Sequence, residues 1–153
     1  MRLELPAESR ARLHMALRAG GTREVGGQLF GEQLAPSLFR VTHLTVQRTP
    51  GTFARFVVDI AQALHDAAAF FRLTRHDYGR FNYIGEWHSH PSFAVTPSST
   101  DRDTMRALVT DPDFKGHFAV LMISRLDGDD LTLGAWLFDP CGNELPVTLE
   151  HLA

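Results

Sequence analysis

Apolar residues along this chain recur with two periods, one near 3.6 and one of 2, and the switches between them predict its elements. From Pro6 to Ala19, "PAESRARLHMALRA", they fall at Leu13, Ala16 and Leu17, with proline in a first turn and Gly20-Gly21 as a stop. That predicts a helix. "VGGQLFGEQL" (Val25 to Leu34) and "LFRVTHLTVQ" (Leu38 to Gln47) predict strands parted by a turn at Pro36-Ser37. "RFVVD" predicts a short strand, after which Asp59 caps a long helix from Ile60 to Asp77 with Leu64, Ala67, Ala68 and Phe71 on one stripe. Asn82 to His90, "NYIGEWHSH", predicts a strand, and the two prolines of "PSFAVTP" predict a loop behind it. A third helix is expected over Ser98 to Asp111. "HFAVLMISR" and "LTLGAWLFD" predict strands joined by the acidic turn "LDGDD", and the tail "NELPVTLEHL" adds another. Strands interleaved with helices imply one α/β domain, layered in the α+β manner, over residues 1–153.

Composition narrows the partners. A net charge of −3 and a pI near 6.2 offer no basic field to nucleic acid. Among the 15 basic residues only Lys115 is a lysine. The one cysteine, Cys141, excludes an internal disulfide and a cysteine-rich zinc module. The first residues, "MRLELPAESR", lack the apolar run of a signal peptide, and no stretch reaches the roughly 20 apolar residues of a membrane span. The expected location is the cytoplasm.

Candidate chemistry concentrates in "GEWHSHPSFAVTPSSTD", residues 85–101. His88 and His90, two apart on a strand, share one face. Eight histidines make such a pair unremarkable by spacing alone, but Asp101 follows eleven residues later, across a loop and on the first turn of the next helix. Two imidazoles and one carboxylate form a three-ligand set with a fourth zinc position left open, the usual pattern of a catalytic site. The alternative is that Ser98 and Asp101 only cap the helix, since Ser-x-x-Asp is a capping signature. Hydrolysis at such a site also needs a proton carrier. Glu86 qualifies because it shares the parity of His88 and His90. Glu24 qualifies because it precedes Gly26-Gly27, where backbone passes closely. The residues alone leave that choice open.

Taken together, "EVGGQLFG" with Glu24, then His88-Ser89-His90-Pro91, then Ser98 and Asp101 in "SSTD", resemble the JAMM (MPN-plus) metalloprotease domain in its short prokaryotic form. The resemblance runs from Glu24 to Trp136. It implies a curved central sheet flanked by helices, similar to cytidine deaminases. It implies zinc held by His88, His90 and Asp101, Glu24 as general acid/base, and Ser98 as donor to the oxyanion, with Glu86 left a supporting role. The implied activity is cleavage after the C-terminal glycine of a ubiquitin-like protein, from a conjugate or a precursor. The implied setting is a bacterial antiphage conjugation system with E1-like and E2-like partners, or else removal of an amino acid from a sulfur-carrier protein in cysteine biosynthesis. A non-catalytic scaffold is the third expectation. A nucleoside deaminase would need Pro-Cys-x-x-Cys, and this chain has Glu144 at the second cysteine's place. A thiol protease would rest on Cys141 alone, in a predicted turn.

Overall fold

The structure is a computed structural model that describes residues 1–52 and 57–153. Among these, eight strands and three helices occur in the order β1 (Arg2–Leu5), α1 (Ala7–Gly20), β2 (Gly26–Ala35), β3 (Leu38–Leu44), α2 (Ile60–Leu73), β4 (Phe81–Ser89), α3 (Ser99–Thr110), β5 (Ala119–Asp127), β6 (Asp130–Phe138), β7 (Glu144–Pro146) and β8 (Thr148–His151). They build one sheet in the spatial order β7-β6-β5-β4-β2-β3-β1-β8. β4 lies centrally, antiparallel to β2 and parallel to β5. The two ends of the sheet approach each other, where Val147 N donates to the Ala135 carbonyl at 2.9 Å. The result is a curved, nearly closed sheet.

Both faces of that sheet are covered, for a reason legible in β5. Its run Ala119 to Ser124 is buried at every position, whereas a strand with one wet face would alternate. On the inner side, Leu13, Ala16 and Leu17 of α1 pack with Leu3, Leu5, Leu29, Trp87, Val120 and Met122. On the outer side, Met105 and Val109 of α3 pack with Ala119, Leu121, Ile123 and Phe138. Beside them, Phe70 of α2 stacks on Phe30 of β2 with centroids 4.6 Å apart.

Several elements depart from the sequence expectation. β1 was not foreseen. It is four residues long and pairs in parallel with both β3 and β8, so its partners lie far away in sequence. The expected "RFVVD" strand begins on Arg55 and Phe56, which lie outside the described residues. Its remainder, Val57 to Asp59, joins no ladder, because Gln47 takes up its backbone groups. Gln47 Nε2 donates to the Val57 carbonyl at 2.9 Å, and Asp59 N donates to Gln47 Oε1. α2 ends at Leu73, four residues short of Asp77. Its buried residue is Phe70, while Leu64 of the expected stripe stands 67% exposed. The tail divides into β7 and β8.

Candidate metal centre

β4 carries the site, and an irregularity in it decides which side chains meet. Its register against β2 shifts between Leu29 and Phe30, so that Phe30 opposes Tyr83 while Leu29 opposes Gly85. The bulged pair Ile84-Gly85 reverses the alternation. Tyr83, Glu86 and His88 therefore share the outer face, and Trp87 takes the inner one. Gly85 has φ 157° and passes so close to β5 that a side chain would run into the Val120 carbonyl. His90 follows just past the strand. Ser124 fixes this stretch from both sides: His90 N donates to the Ser124 carbonyl at 2.9 Å, and Ser124 Oγ donates to the His88 carbonyl at 3.2 Å.

The third member comes from α3. Its first turn is a capping box in which Asp101 N donates to Ser98 Oγ at 3.2 Å and Ser98 N donates to Asp101 Oδ2 at 2.7 Å. The carboxylate is thereby held over the end of β4, with Oδ1 3.3 Å from His88 Nε2 and Oδ2 3.4 Å from His90 Nε2. The two Nε2 atoms are 3.1 Å apart. Capping and convergence on the histidines are thus properties of the same residue. Among the described residues, His88, His90 and Asp101 form the group of potential metal ligands whose atoms all lie within 4.8 Å of one another.

These donors suit a cation. His90 Nδ1 is 2.8 Å from the Ala94 carbonyl, and since a carbonyl only accepts, Nδ1 carries the hydrogen and the Nε2 lone pair of the neutral ring faces the cluster. Both histidines are buried. Burial lowers the pKa of His90, but hydrogen bonding to Asp101 and to the Ala94 carbonyl, and the charge of Asp101, outweigh it and raise the ring above its ordinary value. Burial would raise Asp101; hydrogen bonds from His88 and His90, with the charge of His88, hold it far below the carboxylate range instead. Two ring nitrogens and a carboxylate thus converge on one point, and their hard-to-borderline character suits zinc.

Glu24 is buried just ahead of β2, and its charge is felt by His90. Ser89 places it there. Val25 N donates to Ser89 Oγ at 3.0 Å and Ser89 N donates to the Val25 carbonyl at 2.8 Å, which binds the residue after Glu24 to the end of β4. The loop on the other side closes the arrangement, Glu24 N donating to the Thr52 carbonyl at 2.9 Å. Glu86 shares the face of His88 but is engaged by Tyr83; burial raises its carboxyl, partly offset by His88 and that hydrogen bond. Ser98 is exposed, and as the cap its oxygen accepts a hydrogen bond from the Asp101 amide, while its side chain also helps hold the Asp101 carboxyl low. Ser89, which the His-Ser-His-Pro resemblance implies as a residue shaping the loop, ties the strand end to Val25 instead. Ser124 was not foreseen, and nothing in the local sequence marks it.

Residues 6–137 match the family described as prokaryotic homologs of the JAB domain. The chain belongs to that family. The prokaryotic JAB domain lies within the JAMM/MPN group, which includes metalloproteases as well as inactive members, so what bears on activity is the residue set. No curated protein matches the chain. The solution structure of a protein from Desulfitobacterium hafniense superposes with a TM-score of 0.68, covering 98% of this chain and 94% of that one at 17% identity. Such a likeness speaks to the JAB fold alone.

The thiol-protease reading finds no support in the same geometry. Cys141 lies exposed in a turn after β6, its amide donating to Asp139 Oδ1 at 2.9 Å. "LDGDD" is the tight β5–β6 hairpin, with Gly128 at φ 62°. No described helix is long and apolar enough to cross a membrane.

Proposed function

We propose that this protein is a zinc-dependent peptidase that cleaves the amide bond after the C-terminal glycine of a ubiquitin-like protein, as a deconjugating or precursor-processing enzyme. The observation that carries the reading is the convergence of His88, His90 and Asp101 with Glu24 buried beside them. The substrate class, the cytoplasmic setting and the E1-like and E2-like partners rest on the resemblance of "EVGGQLFG", "GEWHSHP" and "SSTD" to conjugation-linked members of the group.

His88 Nε2, His90 Nε2 and an Asp101 oxygen would hold zinc, whose Lewis acidity activates water and polarises a carbonyl. The protein's own part follows from where its groups stand. Glu24, desolvated and tied to β4 through Val25 and Ser89, takes a proton from the attacking water and returns it to the departing amine. Ser98, with its oxygen engaged by the Asp101 amide, turns its hydroxyl hydrogen toward the developing oxyanion.

The test uses the purified chain and a ubiquitin-like domain ending in Gly-Gly fused to a reporter. The wild type should contain zinc and release the reporter after the last glycine. Glu24→Gln should keep the metal and lose roughly 10²–10⁴-fold in kcat. Metal-free protein inert toward every such fusion would make it a scaffold; full activity in Glu24→Gln would move the proton transfer to Glu86.

A further inference from the structure

α3 contributes Asp101 and Ser98, yet it shares no ladder with the strand that bears the histidines. Its apolar contacts set which way it faces, because Asp101, Met105 and Val109 lie on one side. Such contacts are non-directional and leave the helix free to slide along its axis. Apart from the contacts of Asp101 with the two histidines, the directional contact at its first turn comes from Arg102. Arg102 Nε donates to both oxygens of Glu144, at 2.9 and 3.0 Å, and Nη1 donates to the Pro97 carbonyl at 2.6 Å. Glu144 sits on β7, paired through β6 to the rest of the sheet.

The Pro97–Ser98 peptide links this contact to the ligand. Its carbonyl accepts from Arg102 and its N–H donates to Asp101 Oδ2 at 2.7 Å. The two groups belong to one rigid plane, so tilting that plane weakens both bonds together. A cation on the carbonyl also polarises the N–H and strengthens its bond to the carboxylate. We propose that Arg102 and Glu144 are positioning residues that hold the first turn of α3 against the sheet edge, so that Asp101 meets the histidine pair at the spacing zinc requires. The inference rests on the metal-centre reading above. The side chains stay 35% and 20% exposed, so water still screens the pair; it adds little to overall stability, and its effect lies in placement. Arg106 supplies a built-in control: it approaches the same Glu144 at 3.5 Å and has no bond to Pro97.

Zinc affinity, measured by competition with a chromophoric chelator, decides the matter when read beside the melting temperature of the metal-free protein. Arg102→Gln and the nearly isosteric Glu144→Gln should each weaken zinc binding about tenfold or more. Their metal-free melting temperatures should stay within about 4 °C of wild type. Arg106→Gln, which changes the same charge, should stay within about twofold in zinc affinity by the weakness of exposed pairs. Wild-type affinity in both Arg102→Gln and Glu144→Gln, or an equal loss in Arg106→Gln, would overturn the clamp and leave the metal centre standing. A wild type that binds no zinc would remove the metal centre and the clamp together.

Discussion

The two faces of β4 run side by side for the same few residues and are built to opposite ends. On the inner face Trp87 is fully buried among aliphatic side chains, and its one polar atom is settled by a 2.8 Å bond from indole N–H to the Thr45 carbonyl. On the outer face His88 is also buried and Glu86 partly so, but both are surrounded by titratable partners. One position separates the residue that anchors the core from a residue of the candidate centre. A strand can hold both because its side chains alternate, so the stiffness of the packed side is passed to the chemical side through the backbone.

The comparison can be broken in order of expected effect. His88→Leu should abolish zinc binding, a larger loss than the roughly 10–100-fold that follows removal of a supporting neighbour. The same change should leave the metal-free melting temperature no more than about 4 °C lower, since it exchanges a buried polar ring for an apolar group of similar size. Collapse of that variant would mean that the outer face also carries the fold. Trp87→Ala is its mirror image and should cost about 3–5 kcal/mol in chemical denaturation. Metal binding in whatever fraction stays folded should survive. The smallest effect concerns His43, which lies against Phe30 and Phe70 on the outer face. Burial, then the charge of Arg12, lower its pKa, with Asp66 opposing. A lowered imidazole is neutral in the folded state, so its stabilisation is present above its unfolded value near 6.5 and is lost as pH falls through the folded one. Wild type should therefore lose stability relative to His43→Phe as pH drops from about 7.5 to about 5. A difference that does not change with pH would show that His43 titrates as it does in the unfolded chain.

How much of this was legible depended on how local the cause was. Asp101 and Ser98 announce themselves because a capping box needs only four residues, and His88 and His90 because a strand repeats every two. β1 stayed hidden because its worth lies entirely in pairing with β3 and β8, and four residues beside a proline carry almost no period. α2 misled because it is apolar on two sides. Periodicity found the stripe through Leu64 and Phe71, but the stacking of Phe70 on Phe30 chose the neighbouring one. Glu24 could not be separated from Glu86 by residue type. What distinguishes them is that Tyr83 occupies Glu86 across the bulge, whereas Ser89 draws the Glu24 segment to the strand end.

The bulge at Ile84-Gly85 makes the length of this strand a matter of sidedness. Remove one residue there and the segment before it must turn over relative to the segment after it. Either Tyr83 would be thrust into the aliphatic interior, or Trp87 would swing out to where His88 stands while the imidazole was entombed beneath α1. A chain one residue shorter at that point would keep every motif in its written order and have nowhere to assemble them.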